Sequence, residues 1–518
     1  MQRLGIVDLG SNTARLVVFS FEQGQWFRLA DQIRKPVRLG EGLGEKGRLA
    51  EAAQERTVKA LELFSDYARS TGVSRLEVLA TSAVRDAKNQ QEFLDRLSSL
   101  KLNLSILSGE EEAELGVLAV ANSFEFGDAW VIDVGGGSAQ ISLMQGRQFV
   151  EGAAHPLGAV RLTEEYLASD PPRTKEIGRL EEAVAKSLGP LVQRMKSGSL
   201  PMVAMGGTIR NLARAVQKEQ TYPLMDRIHG YFLRHEDLER LLDRLLDLKT
   251  KKRGQIPGIK ADRADVIVAG AVVCRWLLRQ AAKEGLWISG LGLREGALFR
   301  RFFPAPHLVH DLRGFSVQNL LHHYAQSKEH VRLTRRLSAS LFSELRPIHG
   351  FGAREANLLD AAVVLQDIGL AVNIYRHDRH GEYLVSSAPL NGFTHREQAL
   401  LALLVRYHLR GKPRLGPYES LCLDSDQRLL WTLAACLRIA DHLERPRAQR
   451  VEDLVVEIRD DAIVLRPVAS EELTLELWEL EQHQEIFRLA FDRDLVVEPI
   501  IRSQEARQKR PDESVERQ

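Results

Sequence analysis

The first part of the sequence alternates between short apolar runs and longer segments whose apolar residues recur at helical spacing. The runs LGIVDLG, ARLVVFSF and WFRLADQIRKPVRL predict three strands, and the residues from about Leu49 to Arg69 predict a helix. A strand is then predicted for RLEVLAT, a helix for NQQEFLDRLSSL, a strand for LNLSIL and a helix for EEEAELGVLAVANSF. Such alternation of strands and helices predicts a layered α/β fold.

The same pattern restarts about 125 residues later, at AWVIDVGGGSAQISLM and GRQFVEGAAHPL. Two similar α/β lobes are therefore predicted, over residues 1–127 and 128–303. The prolines of FPAPH, residues 303–307, predict a linker. Helical periodicity from Gly314 to about Arg445 predicts an all-α domain over residues 304–445. The runs DLVVEI and AIVLRP, followed by a last helix, predict a small α+β domain over residues 446–518, which ends in a solvated tail.

Composition adds mainly exclusions. A chain of 518 residues exceeds what one hydrophobic core usually supports. Because 71 Lys and Arg nearly balance 70 Asp and Glu, no global field attracts nucleic acid, and an anionic substrate needs a local basic cluster. Three widely spaced cysteines exclude a disulfide framework. No apolar stretch reaches the roughly 20 residues of a membrane span, and no export signal is apparent, so we expect a cytoplasmic protein without a membrane partner.

Two loops of similar composition each follow an apolar strand and are candidate phosphate-binding sites. Glycines permit close approach of backbone N–H groups to phosphate oxygens, and Ser and Thr hydroxyls add donors. The strand-ending carboxylates Asp8 and Asp133 suit a hydrated Mg²⁺. One such loop is more typical of a simple turn, but two matched copies favour the binding function. The candidate phosphate-binding residues are Gly10, Ser11, Asn12 and Thr13 in the first loop and Gly135, Gly136, Gly137 and Ser138 in the second.

These loops resemble the phosphate loops of the acetate and sugar kinase, Hsp70 and actin superfamily, which implies two ribonuclease H-like lobes. Further segments resemble the exopolyphosphatase and guanosine pentaphosphate phosphohydrolase family, Ppx/GppA. They are ATSAVR at 80–85, SGEEEA at 108–113, PLGAVR at 156–161, MGGTI at 205–209 and SGLGLREG at 289–296. They follow the family's order and cover residues 1 to about 300. The resemblance implies hydrolysis of terminal phosphates.

The resemblance also suggests roles for single residues. In the family, one glutamate of the SGEEEA-type segment is the catalytic base, and alignment on the following alanine selects Glu112, with Glu111 as the second choice. The residues alone also allow the acidic run to do no more than complement a helix dipole. Arg85 is a candidate to grip the terminal phosphate with its planar fork, or else to form a surface salt bridge. The turn Gly206-Gly207-Thr208 opens a helix and suits an anion, although ordinary helix entry fits equally.

One position departs from the family pattern. Where the family usually has Ser-Thr-Glu after the second loop, this chain has Ser138-Ala139-Gln140. An amide cannot supply the negative charge of a carboxylate to a cation, so we expect weaker Mg²⁺ binding than in relatives.

The helical segment resembles the HD-type domain of longer family members, which implies sites near His330, Asp367, His380, His408 and Asp441. The adjacent pair is Gln366-Asp367 rather than His-Asp, and glutamine is a poor transition-metal ligand. A second, metal-dependent phosphodiesterase site is therefore not expected, and His380 and His408 are interpreted as structural. The stretch RYHLRGKPR is either a solvated loop or a distal polyanion site that allows processive phosphate release. Its candidate residues are Arg406, His408, Arg410, Lys412 and Arg414.

The predicted function is exopolyphosphatase activity on inorganic polyphosphate, with Mg²⁺ as cofactor. The alternative within the family is conversion of guanosine pentaphosphate to the tetraphosphate, since both substrates present a terminal phosphate on an anionic chain. Outside it, an ATP-dependent phosphotransferase or a non-catalytic nucleotide sensor could use the same loops. A homodimer is expected because homodimers are the commonest assemblies.

Overall fold

The computed structural model describes residues 1–224, 227–322, 324 and 328–502 and divides into two compact units, residues 1–312 and 313–518. The predicted boundaries at 127/128 and 445/446 therefore fall inside these units. The predicted solvated tail, residues 503–518, lies outside the described residues.

The first lobe is built on a five-stranded mixed sheet. Its strands are β1 Gln2–Leu9, β2 Thr13–Glu22, β3 Trp26–Pro36, β4 Arg75–Ala80 and β5 Asn103–Ile106, in the order β3-β2-β1-β4-β5. The first three strands are antiparallel neighbours, as the sequence predicts, whereas β4 and β5 run parallel to β1. The helices are α1 Leu43–Lys46, α2 Glu51–Ser70, α3 Ser82–Arg85, α4 Gln90–Leu97 and α5 Gly109–Ala121, with a 3₁₀ turn at Ser98–Leu100.

The second lobe repeats this plan with a six-stranded sheet. Its strands are β6 Ala129–Val134, β7 Ala139–Gln145, β8 Gln148–His155, β9 Met202–Met205, β10 Tyr231–Arg234 and β11 Gly285–Ile288, in the order β10-β11-β9-β6-β7-β8. Again an antiparallel three-strand meander precedes a parallel strand. The helices are α6 Ala159–Tyr166, α7 Thr174–Ser197, α8 Gly207–Glu219, α9 His235–Leu246, α10 Thr250–Arg253, α11 Ile267–Ala281 and α12 Leu293–Phe302. The predicted two-lobe α/β fold is confirmed.

The apolar pattern explains why β1 and β6 lie inside their sheets. Both strands are buried along most of their length, which requires cover on both faces. The core of the second lobe gathers residues from β6, β7 and the helices α7, α8, α9 and α11. In each of the two strands β1 and β6 the penultimate residue is acidic and a loop follows the strand, so the fold fixes two acidic loops on rigid strands.

The second unit is largely helical. Its helices are α13 Leu312–Leu321, α14 Lys328–Glu344, α15 Arg346–His349, α16 Ala353–Leu365, α17 His377–Ser387, α18 His395–Arg406 and α19 Asp426–His442. A sheet follows, with β12 Val451–Ile458, β13 Ala462–Ala469, β14 Asp494–Val497 and β15 Ile500–Ile501. The expected single last helix is wrong, because α20 Thr474–Glu481 and α21 Gln484–Phe491 lie between β13 and β14.

Contacts between the helical and the mixed segments explain why they form one unit. Arg336 Nη2 donates to the Glu452 carbonyl at 2.7 Å, and His483 Nε2 lies 2.5 Å from His442 Nδ1. Within the described residues, no helix is long and apolar enough to cross a membrane.

Candidate active site between the lobes

The two acidic loops face one cavity of about 160 Å³, which we call the interlobe cavity. Asp8 is the penultimate residue of β1, and Asp133 is the penultimate residue of β6. Because the loops leave equivalent strands of two similar lobes, their backbones approach the same space from opposite sides. The predicted residues that line it are Asp8, Gly10, Ser11, Asn12, Thr13, Glu112, Asp133, Gly135, Gly136, Ser138, Gly206 and Gly207.

Two predicted phosphate-binding residues do not line the interlobe cavity. The Thr208 side chain is buried, and a Cβ placed on Gly270 of α11 would lie 2.7 Å from its Cγ2. Thr208 therefore packs between α8 and α11, which corrects the prediction for its side chain. Gly137 lies against Ser11 and Ser82 of the first lobe, where an added Cβ would meet both hydroxyls at 2.6 Å.

The acidic run at the start of α5 is divided by its position on the helix. Glu111 forms a capping box with Ser108: its Oε2 accepts from the Ser108 N–H at 2.8 Å, and its own N–H donates to Ser108 Oγ at 3.1 Å. The Glu111 carboxylate is already engaged in this cap, which argues against Glu111 as the catalytic base. The next residue, Glu112, lies about 100° further round the helix and lines the interlobe cavity.

The Glu112 carboxylate is held on both oxygens. Arg85 donates to Oε1 in an ion pair, and Gln140 Nε2 donates to Oε2 at 2.9 Å. Arg85 also donates to the Leu107 carbonyl at 2.8 Å. The structure thus places Arg85 against Glu112 and not among the residues that line the cavity, and its role as the phosphate grip stays a prediction. Gln140 also donates to Ser138 Oγ at 2.9 Å, so it links Glu112 to the second loop.

Burial shifts the acidity of the three carboxyl groups in this site. It raises the pKa of Glu112 to about 7, while Arg85 pulls that pKa down. Burial likewise raises the pKa of Asp133 to about 6, against the opposing effect of Arg210, and raises the pKa of Asp8. The ionised form of each group therefore lacks solvation and would gain from a bound cation or positive ligand.

Five arginines that were not predicted also line the interlobe cavity. Arg294 is buried, and its Nη1 has no hydrogen-bond partner among the described residues; the same holds for Nε of Arg15. Arg210 is fixed by the carbonyls of Ser289 and Leu291 at 2.8 and 2.9 Å. Unused N–H groups on fixed guanidinium groups suit phosphate oxygens. The complete set is Arg15, Arg34, Arg210, Arg263 and Arg294.

Sequence signals existed for some of these arginines. Arg210 and Arg294 lie in or beside the glycine-rich segments MGGTI and SGLGLREG, and Arg15 follows the first loop on β2. No comparable signal marks Arg34 or Arg263, because each reaches the cavity from a separate edge strand or 3₁₀ turn.

The turn before α8 is shaped by one glycine. Gly206 has φ +101°, and a Cβ there would lie 2.6 Å from Asp133 Oδ1 and 2.8 Å from the Val134 carbonyl. Any larger residue would push this turn away from β6. Glycine therefore allows the start of α8 to lie directly beside the second acidic loop.

The chemistry of the donors fits a hard divalent cation. Asp8 and Asp133 both line the interlobe cavity, and both carboxylates raise the pKa of Glu112. Oxygen donors are what Mg²⁺ prefers. Gln140, where a carboxylate is expected, contributes no charge.

The basic stretch of the second unit is only partly exposed. His408 is fully buried, so it cannot hold a polyanion, and its prediction as a distal site residue is wrong. Arg406 forms an ion pair with Asp378 and lies 3.4 Å from Glu382, which neutralises its charge locally. Arg410, Lys412 and Arg414 are exposed and remain candidates. Elsewhere in this unit, Gln366 serves as a hydrogen-bonding side chain. Its Nε2 donates to Asp441 Oδ1 at 2.9 Å and lies 3.2 Å from His330 Nε2.

Two family models match the chain over most of its length. One, described as the Ppx/GppA phosphatase family, matches residues 17–302. The chain belongs to the Ppx/GppA phosphatase family. A second model, described as Ppx/GppA phosphatase domain III, matches residues 312–495. The predictions of the family and of an enzyme are thereby confirmed.

Individual proteins and solved structures are also similar to parts of this chain. The chain is 31% identical to exopolyphosphatase 1 of Mycobacterium tuberculosis over 306 residues, which is 58% of this chain and 88% of the relative. A crystal structure of the Aquifex aeolicus Ppx/GppA family member is 30% identical, with 57% of this chain and 96% of that chain covered and a TM-score of 0.49. An exopolyphosphatase structure from Cytophaga hutchinsonii is 24% identical over 57% of this chain and 97% of that one, with a TM-score of 0.54, and shares the fold.

Proposed function

We propose that this Ppx/GppA chain is an exopolyphosphatase that hydrolyses the terminal phosphoanhydride bond of inorganic polyphosphate and releases orthophosphate. The observation that carries the proposal is the position of Glu112. Its carboxylate faces a cavity lined by two glycine-containing loops and five arginines. A base beside a cavity lined by arginines and glycine-containing loops is the arrangement that hydrolysis of a terminal phosphate requires.

Glu112 is assigned as the general base. Its raised pKa of about 7 makes it basic enough to take a proton from water near neutral pH, yet still ionised in a sufficient fraction. The water oxygen bonds to the terminal phosphorus, the bond from phosphorus to the bridging oxygen breaks, and the shortened chain leaves with that oxygen. The water proton passes to Glu112. Arg85 and Gln140 orient the carboxylate and act as positioning residues.

The loops and the arginines are assigned to the phosphoryl groups. The backbone N–H groups of residues 10–13 and 135–138 are placed to surround the terminal phosphate, and the arginines to hold its negative charge. Asp8 and Asp133 would hold Mg²⁺, which when bound offsets the charge of the phosphates. The cavity volume of about 160 Å³ is below the roughly 300 Å³ at which pockets for whole drug-sized ligands begin, so phosphate groups fit it better than a nucleoside.

Phosphate release is the direct test. It is measured from long-chain polyphosphate and from guanosine pentaphosphate, each with and without Mg²⁺, for the wild type, Glu112→Gln and the matched control Glu111→Gln. We expect Mg²⁺-dependent release from polyphosphate that falls about 10²- to 10⁴-fold in Glu112→Gln only.

Each other outcome identifies a different function. Release from the nucleotide alone would favour the guanosine pentaphosphate phosphohydrolase. Tight binding without release would favour the nucleotide sensor, and phosphate transfer from ATP to an added hydroxyl compound would favour the phosphotransferase. Equal losses in both glutamate variants would remove Glu112 as the specific base.

Three further properties are proposed with this function. Arg410, Lys412 and Arg414 are proposed to hold the distal part of a polyphosphate chain, which predicts a dependence on chain length. Substitution of these residues by neutral glutamine should weaken the binding of long polyphosphate chains more than the binding of short ones. A pulse-chase experiment in which intermediate chains mix completely would exclude processive release. The homodimer and the cytoplasmic location are also proposed, and sedimentation and cell fractionation test them.

A further inference from the structure

Three side chains from separate elements of the second unit converge on one point. Asp367 follows α16, His377 is the first residue of α17 and His408 follows α18. His377 Nε2 and His408 Nε2 lie 3.2 Å apart, and Asp367 Oδ1 lies 3.8 and 3.9 Å from them. His408 is fully buried, and 12% of each of the other two side chains is exposed. The three side chains therefore form a cluster in the interior of the unit rather than on its surface.

Hydrogen bonds fix the tautomer of both histidines. His377 Nδ1 lies 2.9 Å from the Ile374 carbonyl, and His408 Nδ1 lies 2.7 Å from the Val405 carbonyl. A carbonyl can only accept, so each Nδ1 carries the hydrogen and each Nε2 of a neutral ring presents a lone pair. Two lone pairs 3.2 Å apart, next to a carboxylate oxygen, repel one another unless a positive species lies among them.

A metal ion is a better candidate for that species than a proton. A proton can bridge only two of the three ligand atoms, whereas a metal ion can bind all three at once. A point equidistant from the three ligand atoms lies about 2.1 Å from each of them, which is the bond length of zinc to imidazole nitrogen or carboxylate oxygen. At known metal sites, a carbonyl that accepts a hydrogen bond from the other ring nitrogen of a histidine orients that ligand and raises its basicity.

The surroundings hold the ligands in this position. Arg447 Nη2 binds Asp367 Oδ2 at 2.7 Å, which leaves Oδ1 directed at the histidines. A Cβ on Gly369 would lie 1.9 Å from the His377 carbonyl, so only glycine lets the start of α17 approach this closely. Arg376, just before His377, has φ +57°, a strained conformation for a non-glycine residue.

We propose that Asp367, His377 and His408 form a binding site for one divalent transition-metal ion. Two imidazoles and one carboxylate suit borderline metals such as Zn²⁺, Fe²⁺ or Co²⁺ better than Mg²⁺. The expectation that no metal-dependent phosphodiesterase site is present rested on Gln366, and the three proposed ligands do not include that position. His377 is one of the three proposed ligands, whereas His380 is not. His377 also lines a cavity of about 560 Å³, which gives an ion a path from solvent.

Metal binding to the full-length protein tests the proposal. The protein is stripped with a chelator, and Zn²⁺ binding is measured by calorimetry in excess Mg²⁺, which occupies oxygen-only sites in the interlobe cavity. Co²⁺ is a second probe, because its visible spectrum reports nitrogen ligands. We expect one equivalent of Zn²⁺ in the wild type and an affinity at least about 100-fold lower in His377→Ala and Asp367→Asn.

Two histidine variants serve as matched controls. His380→Ala lies on the same helix, three residues further on, and His483→Ala removes the neighbouring His442–His483 pair. Both should retain the ion, and circular dichroism should show that every variant is folded. Absence of Zn²⁺ and Co²⁺ binding in the wild type would overturn the proposal. So would a loss in His380→Ala or His483→Ala as large as in His377→Ala.

Discussion

Gln140 Nε2 donates a hydrogen bond to Glu112 Oε2 at 2.9 Å, across the boundary between the two lobes. The residue that departs from the family pattern therefore contacts the proposed base directly. Its amide stabilises the ionised carboxylate, whereas a carboxylate at position 140 would repel it unless a cation lay between them. The substitution thus exchanges a charge that can bind metal for a hydrogen bond that positions Glu112.

Restoring the expected carboxylate should change the metal requirement. In Gln140→Glu we expect half-maximal activity at a lower Mg²⁺ concentration, because the cation gains a third carboxylate and relieves its repulsion with Glu112. Without Mg²⁺ the variant should be less active than the wild type. Mg²⁺ titrations of phosphate release measure both effects; an unchanged half-saturating concentration would mean that position 140 does not contact the ion or its water shell.

The pH dependence of kcat/KM should report Glu112. A general base acts when it is deprotonated, so activity should rise with pH through an apparent pKa of about 7, the value to which burial raises the pKa of Glu112. Activity should be low well below that pH. The control is Glu111→Gln, which should leave the profile unchanged, since Glu111 caps α5 outside the interlobe cavity.

Removal of the Arg85 charge should move this profile. Arg85 lowers the pKa of Glu112 through its ion pair, so Arg85→Met should shift the acidic limb to higher pH by about one unit. At a pH well above the new value, much of kcat should return. An Arg85 that instead gripped the phosphate would give a raised KM with an unshifted limb.

Arg294 should contribute to substrate binding. Its buried guanidinium faces the interlobe cavity with an unused Nη1, so Arg294→Gln should weaken binding of phosphate chains by about 1.5–3 kcal/mol, or roughly 10- to 150-fold in KM. Arg300→Gln on the same helix is the control, because Arg300 pairs with Glu114 at 2.8 Å on the surface. Similar losses in both variants would point to damage of α12.

The contact between α12 and α5 should be sensitive to a single methyl group. A Cβ on Gly296 would lie 2.0 Å from the Leu115 carbonyl, so Gly296→Ala should lower the free energy of unfolding by about 1–3 kcal/mol and displace Glu112. Gly178→Ala in α7 meets nothing within 4 Å and should be neutral or stabilise by about 0.5–1 kcal/mol. Denaturant unfolding compares the two; equal stabilities would show that the helices separate freely.

The sequence by itself determined the two-lobe α/β plan, the acidic loops and the family. These properties are written in local patterns: apolar periodicity fixes strands and helices, and glycines after an acidic strand end fix a loop. For the same reason the sequence marks Asp8, Asp133 and the backbone of both loops, which line one cavity in the structure. Their positions depend on strand ends, which a linear pattern marks directly.

Only the tertiary structure decided which side chains meet. The roles of Glu111 and Glu112 depend on a rotation of about 100° per residue on α5, which turns one into a cap and the other into the cavity wall. Thr208 and His408 are buried in the structure, and Arg85 forms an ion pair with Glu112. His377, and not His380, lies beside Asp367. The five arginines that line the interlobe cavity likewise come from positions as far apart in the sequence as 15 and 294. Such contacts arise from packing between elements distant in sequence, and no local pattern encodes them.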